Sequence, residues 1–295
     1  MTDAPPGYRA DGHLHSDGST RPVVRTDFDV DKYVRGARGR IHVSASGPVI
    51  SGRAARDLAF LWRLEVAALA EMRSLLTSWT GNETRITAFL ATWAYERYWL
   101  ARAARDLLTA AGRPLQANGR RPLSARIRSY GIDRFLPLVS PVVGGVLGEP
   151  LAAGHVARMA VQEGALRAGL AAVRARLEGE ASDAVGEIIA RRTDFVDFFR
   201  AETRARVERS TAERASAVVM LSRPWAPLRA VGVADAAEVQ ALSSIFDTPA
   251  ALADLEASDL AVGAILPGRP TPALDLVLRA RRRRRAAPER NTHGL

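Results

Sequence analysis

The chain has no cysteine. Disulfides, thiolate metal sites and cysteine nucleophiles are thereby excluded. It almost lacks lysine: of 42 basic residues only Lys32 is not arginine. A bias that complete reads as a codon preference over the whole chain rather than as a selected surface. Aromatics are sparse, at 6% of 295 residues, which leaves little surface for stacking bases. Long apolar runs are missing too. The longest, Phe135 to Leu147, is broken by Pro137, Pro141, Gly144 and Gly145. It falls short of the roughly 18–20 residues a spanning helix needs. The opening Met1-Thr2-Asp3-Ala4-Pro5-Pro6 is polar and carries no apolar stretch of the secretory type. The expectation is a cytoplasmic protein without a transmembrane segment.

What remains is ordinary for a globular chain: 47% hydrophobic and 25% charged residues. The length suits one large domain or two smaller ones. The net charge of +10 is uneven, because the stretch from Arg279 onward holds seven arginines against one glutamate.

Residues 1–45 are polar and glycine-rich, without helical period, and read as an irregular lead-in. Their His13 and His15 form a His-x-His pair, too few ligands for a metal site by themselves. Four long amphipathic segments follow. The first is expected over about Gly52–Trp79, the second over Glu83–Ala111 with a stop at Gly112 and Pro114, and the third over Leu151–Leu177. The fourth starts after Ser182, a plausible N-cap. The Pro- and Gly-rich residues 113–150 separate the second and third, with room for a short helix at Ser124–Phe135. Gly144-Gly145 lacks the pattern of a phosphate loop. Shorter helices are expected at Thr211–Ser222, Ala236–Phe246, Pro249–Ser258 and Thr271–Arg284. Helix pairs joined by one long crossover suggest a ferritin-type four-helix bundle over 46–227. A helical extension over 228–278 and a basic disordered tail over 279–295 complete the reading.

Each apolar stripe is interrupted once, near its middle, by a charge. Steps of three and four give Leu58, Trp62, Glu65, Leu69 and Met72 on the first helix. On the second they give Leu90, Trp93, Arg97, Leu100 and Ala104. The third reads Val156, Met159, Glu163, Leu166 and Leu170; the fourth reads Ile188, Arg191, Phe195 and Phe198. An unpaired charge in a packed core costs several kcal/mol. Any one of these residues could lie at a stripe edge and reach water, and Glu65 could pair with Arg56 or Arg63 outside the bundle. Four interruptions at one level argue instead for a buried polar cluster.

The stretch Phe89-Leu90-Ala91-Thr92-Trp93-Ala94-Tyr95-Glu96-Arg97-Tyr98-Trp99-Leu100 resembles the second bundle helix of ferritin-like di-iron proteins, most nearly actinobacterial proteins of the acyl-ACP desaturase-like type. Those carry Glu-Glu-x-x-His after a similar Trp-containing run. His155 to Glu163 is similar to their third helix, which supplies a lone glutamate. Arg191-Arg192-Thr193-Asp194-Phe195 followed by Phe198-Phe199 is similar to their fourth, where Glu-x-x-His precedes aromatics. Pro224-Trp225-Ala226-Pro227 resembles a feature after their bundle. The resemblance implies a six-ligand metal site, one Glu from each of two helices and Glu-x-x-His from each of the others. Carried over, the lone glutamates are Glu65 and Glu163. The first paired motif has become Arg97 and Leu100, the second Arg191 and Asp194. Both histidines are gone, and no replacement lies nearer than His155, about two turns from Glu163.

Guanidinium groups can supply the positive charge that iron gives such a site, and they bind carboxylates bidentately. The expectation is therefore a core ion-pair cluster of Glu65, Arg97, Glu163, Arg191 and Asp194, with no metal, no cofactor and no catalytic residue. The implied protein is a metal-free, catalytically degenerate bundle acting as a binding or assembly component. The resemblance implies a homodimer, or a heterodimer with a related bundle protein; a small apolar ligand is open. Trp93, Tyr95, Tyr98 and Trp99 are expected in core and interface packing. The enzymatic alternative is a di-iron or di-manganese oxidase or desaturase-type enzyme with a rearranged site of Glu65, Glu96, Glu163, Asp194 and Asp197. A third reading is attraction of nucleic acid or an anionic membrane by Arg279, Arg281, Arg282, Arg283, Arg284 and Arg285. No recognised nucleic-acid-binding motif accompanies that run, so a solvated tail stands beside it.

Overall fold

A computed structural model describes residues 24–44, 47–113, 115, 148–222, 225–230, 233–266, 268 and 270–286. His13, His15, Gly144-Gly145 and the helix expected at Ser124–Phe135 lie outside them. The described residues are helical with no strand: α1 (Val30–Arg35), α2 (Gly52–Val66), α3 (Ala68–Leu76), α4 (Thr84–Ala110), α5 (Leu151–Arg174), α6 (Gly179–Arg209), α7 (Thr211–Ser222), α8 (Asp235–Ile245), α9 (Pro249–Gly263) and α10 (Pro272–Ala286). A 3-10 turn, Trp79–Asn82, joins α3 to α4.

Local chemistry sets several boundaries. Ser51 caps α2 by accepting the Ala54 N–H, and Thr248 caps α9 ahead of Pro249. α4 ends where Gly112 adopts a left-handed φ of 67°. There the Arg113 N–H reaches the Leu108 carbonyl and the Gly112 N–H that of Thr109, a Schellman closure. Ser182 is not an N-cap: α6 already begins at Gly179.

The first long helix is two helices. It breaks at Ala67, with neither proline nor glycine nearby. The Leu64 carbonyl, which an unbroken helix would offer to the Ala68 N–H, accepts Arg97 Nη2 at 2.5 Å. A side chain entering the hydrogen-bond ladder is a recognised cause of kinks. The break rephases α3, so Leu69 is 48% exposed rather than part of the inner stripe.

α2 packs on α4, α4 on α6, α6 on α5, and α5 on α2, closing a ring of four helices. α7 and α9 lie against α5, and α8 bridges α2 and α10. One core cluster runs through all of these elements, from Val30 to Ala280. α5 is at its crowded centre. A Cβ on Gly154 would overlap Met220 of α7, and one on Gly164 would overlap Ser258 of α9.

Two terminal segments differ from the sequence reading. Residues 24–44 include α1, whose Val30 and Tyr33 are buried, and Tyr33 stacks on Phe89 with ring centroids 4.9 Å apart. Residues 279–286 belong to α10, so this part of the arginine run is helical rather than disordered. None of the described helices is long and apolar enough to cross a membrane.

Candidate functional site

The ring closes around a buried set of charges. Glu65 comes from α2, Arg97 and Trp93 from α4, Glu163 from α5 and Arg192 from α6. The side chains of both arginines and Glu163 are inaccessible to solvent, and that of Glu65 nearly so. Arg97 Nε donates to Glu65 Oε2 at 2.9 Å. Arg192 donates through Nη2 to Glu65 Oε1 and through Nη1 to Glu163 Oε2. Trp93 Nε1 donates to Glu163 Oε1 at 3.0 Å, and Arg97 Nη1 lies 3.4 Å from the same oxygen. Every oxygen of the two central carboxylates therefore meets an N–H donor. Such satisfaction is what lets charges sit in a core.

α3 adds a third carboxylate. Arg97 Nη1 donates to Glu71 Oε2 at 2.6 Å, and Gln162 Nε2 donates to Glu71 Oε1 at 2.6 Å. Two guanidiniums thus face three carboxylates. Burial opposes ionisation of Glu65, but Arg192 and Arg97 overcome it and hold that carboxyl below its ordinary range. Burial also pushes Glu163 up. The two arginines only partly offset this, and Glu65 and Glu71 reinforce it. The two central carboxyls are therefore shifted in opposite directions, Glu65 down and Glu163 up. Arg97 is held firmly charged. Burial works against it, and Glu71, Glu163 and Glu65 outweigh that cost.

Of the residues expected in this cluster, Glu65, Arg97 and Glu163 come together. Arg191 and Asp194 do not. Arg191 lies on the adjoining face of α6, where Nε donates to Glu187 at 2.8 Å and Nη1 to the Gly39 carbonyl at 2.5 Å. Asp194 is 41% exposed and pairs with Arg38. Arg192 takes the place expected for Arg191. Both belong to stripes of legitimate helical spacing, and the broad buried face around Phe195, Val196, Phe198 and Phe199 favours neither in advance. Leu100 is an ordinary core residue.

The carboxylates of the enzymatic alternative fall into separate places: Glu65 and Glu163 share Arg192 in the central cluster, while Glu96 and Asp194 share Arg38. Glu96 accepts Tyr33 Oη at 3.0 Å and the Arg38 N–H at 2.8 Å. Burial and the adjacent Glu96 push the Tyr33 phenol far up. Asp197 is exposed. His155 sits near α3, its Nδ1 2.8 Å from Thr80 Oγ1. Burial, then Arg158, brings its imidazole down to about 4. Among the described residues no group of three or more His, Asp or Glu could hold a metal.

A second buried network was missed in the sequence. Arg206 of α6 meets Glu83 at 2.6 Å, Glu202 at 3.4 Å and Glu213 at 3.5 Å. Arg85 pairs with Glu202, and Arg209 bridges Glu149 and Glu213. Continuing α6 in steps of three and four past Phe195 and Phe199 leads to Glu202 and Arg206, a pattern that signals the network.

Beside the first cluster, next to the break at Ala67, lies a groove of about 350 Å³ whose lining includes Trp62, Glu65, Leu69 and Tyr98, with Arg102 and Arg105. Trp93 is buried, but Tyr95 and Tyr98 are 47% and 52% exposed. These two tyrosines therefore form surface rather than core.

Comparison of the chain with family models, curated proteins and solved structures gave no match.

Proposed function

We propose that this chain is a metal-free, catalytically degenerate member of the ferritin-like bundle proteins that serves as a binding or assembly component. The observation that carries this reading is the Arg97–Glu65–Arg192–Glu163 set. Its four central carboxylate oxygens are all taken by N–H donors. A di-iron or di-manganese pair does not fit such a donor set. A cation would have to displace two buried guanidiniums that already neutralise the carboxylates, and it would meet their positive charge.

The second paired position departs from the motif as carried over, because Arg192 and Phe195 replace Arg191 and Asp194 and drop its acidic residue. With Arg192 in place of Arg191, both paired motifs read arginine followed three residues later by an apolar side chain: Arg97 with Leu100, and Arg192 with Phe195. Leu100 and Phe195 are fully buried, so neither histidine position offers a ligand. The groove beside Tyr98 is the feature that suits a binding role, since it is concave, mostly apolar and open to solvent.

The test is metal content together with assembly state. Protein purified from iron- and manganese-supplemented culture should carry far less than one metal atom per chain by elemental analysis. Sedimentation should show a discrete oligomer rather than a concentration-independent monomer. Near two tightly held metal atoms per chain would overturn the metal-free reading. A strict monomer without a partner would remove the assembly reading.

A further inference from the structure

The arginine run does not behave as a loose tail. α10 buries Pro272, Ala273, Val277 and Ala280 against α8, α9 and α5. That stripe continues to Arg281, which is partly covered, and then to Arg284, which is exposed. All of residues 282–286 are exposed, with Arg283 alone among them lining a groove against the body. At about 100° per residue, Arg281 to Arg285 project around the whole circumference of the helix. None of Arg279 and Arg281 to Arg285 has a carboxylate partner among the described residues. The contrast with Arg97, Arg192, Arg206 and Arg209, all ion-paired, is complete. A helix C-terminus favours one or two cations in its final turn; six arginines exceed that need.

We propose that the exposed end of α10 binds nucleic acid through its phosphodiester backbone, without reading sequence. Charge complementarity selects a polyanion, and the planar guanidinium matches phosphate oxygens bidentately. Toward the body the charge is mixed: Arg279 and Arg283, one turn apart, line a groove of about 300 Å³ that also contains Trp225, Arg229, Asp235 and Glu238, and Arg229 is paired with both carboxylates, so the binding surface is the exposed end of α10 itself. A membrane surface fits less well. The apolar face of α10 is occupied by α8 and α9, leaving Leu278, at 37% exposure, as its only exposed large hydrophobic side chain, whereas a membrane-lying helix needs a free apolar face.

The full chain should be titrated by fluorescence anisotropy against a mixed-sequence DNA duplex and a single-stranded RNA, each over a series of salt concentrations. Vesicles of phosphatidylglycerol and phosphatidylcholine form a separate arm. Binding to either nucleic acid should weaken steeply with salt. A variant with Arg282, Arg283, Arg284 and Arg285 all changed to Gln should lower the log–log slope by about 2–4, and affinity at moderate salt by about tenfold or more. Changing the same four to Lys should restore most of the binding. Circular dichroism and thermal midpoint should be unchanged in both variants, because these side chains lie outside the packed face. Absence of nucleic-acid binding at low salt, an unchanged slope in the Gln variant, or binding to vesicles alone would overturn the proposal.

Discussion

Arg97 and Arg192, from α4 and α6, hold the same carboxylate, each on a different oxygen of Glu65. Neither arginine can be removed without leaving part of that anion unpaired in the core. Breaking a buried pair from one side costs about 3–5 kcal/mol. Arg192→Met should lower stability by that amount in urea unfolding. Arg191→Met, one residue earlier on α6, loses its bonds to Glu187 and the Gly39 carbonyl and should lose only about 1.5 kcal/mol. Equal losses would contradict the assignment of Arg192 to the cluster.

The two central glutamates should respond to pH with opposite slopes. The Glu65 carboxyl is held below 4.5 in the folded chain, so it contributes stability above that pH, and the contribution is lost as pH falls below it. Glu163 is raised above 4.5, so the folded chain binds that proton more tightly than the unfolded one. Its effect on stability declines as pH rises above 4.5. Glu163→Gln should flatten the loss of stability toward neutral pH. Glu65→Gln should be more damaging at neutral pH and should remove stability that the wild type loses only in acid. Denaturant midpoints of the two variants across the pH range provide the check.

Asp259 of α9 accepts the N–H groups of Ala273 and Leu274 on one oxygen, each at 2.9 Å, while its other oxygen is buried without a partner. Burial pushes this carboxyl up from 3.8 to about 6, against the lowering effect of those two N–H groups. A raised carboxyl favours the folded state below pH 3.8, and that advantage is lost as pH rises to about 6. Asp259→Asn keeps an acceptor for the two N–H groups and removes the charge. It should raise stability at pH 8 by up to about 3 kcal/mol and have much less effect at pH 4. A loss at pH 8 would show that the charge at the start of α10 matters more than its burial.

His155 has an imidazole lowered to about 4. It is neutral when folded at ordinary pH, so it favours folding above 6.5, and that contribution fades as pH falls toward 4. Nuclear magnetic resonance should find its ring titrating near 4. A midpoint near 6.5 would mean that the contacts with Thr80 and Ser78 do not exclude water.

Close approach of α5 to α9 gives a packing test. Gly164→Ala would overlap Ser258 Oγ and should cost about 1–3 kcal/mol. Combining it with Ser258→Gly should recover much of that loss, and simple additivity of the two changes would contradict the contact.

The helical class was legible from periodicity, and so were the interruptions at Glu65, Arg97 and Glu163. Each of these lies on a stripe whose neighbours two turns away are also inward. α6 defeated the same reasoning because its buried face is wide enough for Ile188-Arg191-Phe195 and Ile188-Arg192-Phe195 alike. Glu71 escaped because nothing near Ala67 announces a break. The rotation that turns Glu71 toward Arg97 depends on a contact made across the fold, from Arg97 to the Leu64 carbonyl. Residues 30–35 looked like loop since six residues show too little period to register. The last arginines looked unstructured because charge conceals the stripe of Ala273, Val277 and Ala280 beneath them.

Because every anion in the central cluster is matched to a donor on another helix, the arrangement works as a lock on axial alignment. Sliding α4 or α6 along its axis by one turn would strand a guanidinium in hydrocarbon and expose a carboxylate to its own kind. An all-apolar stripe of leucine and alanine would tolerate that slippage at modest cost. Here the same slide would break the buried ion pairs, at about 3–5 kcal/mol for each pair broken from one side.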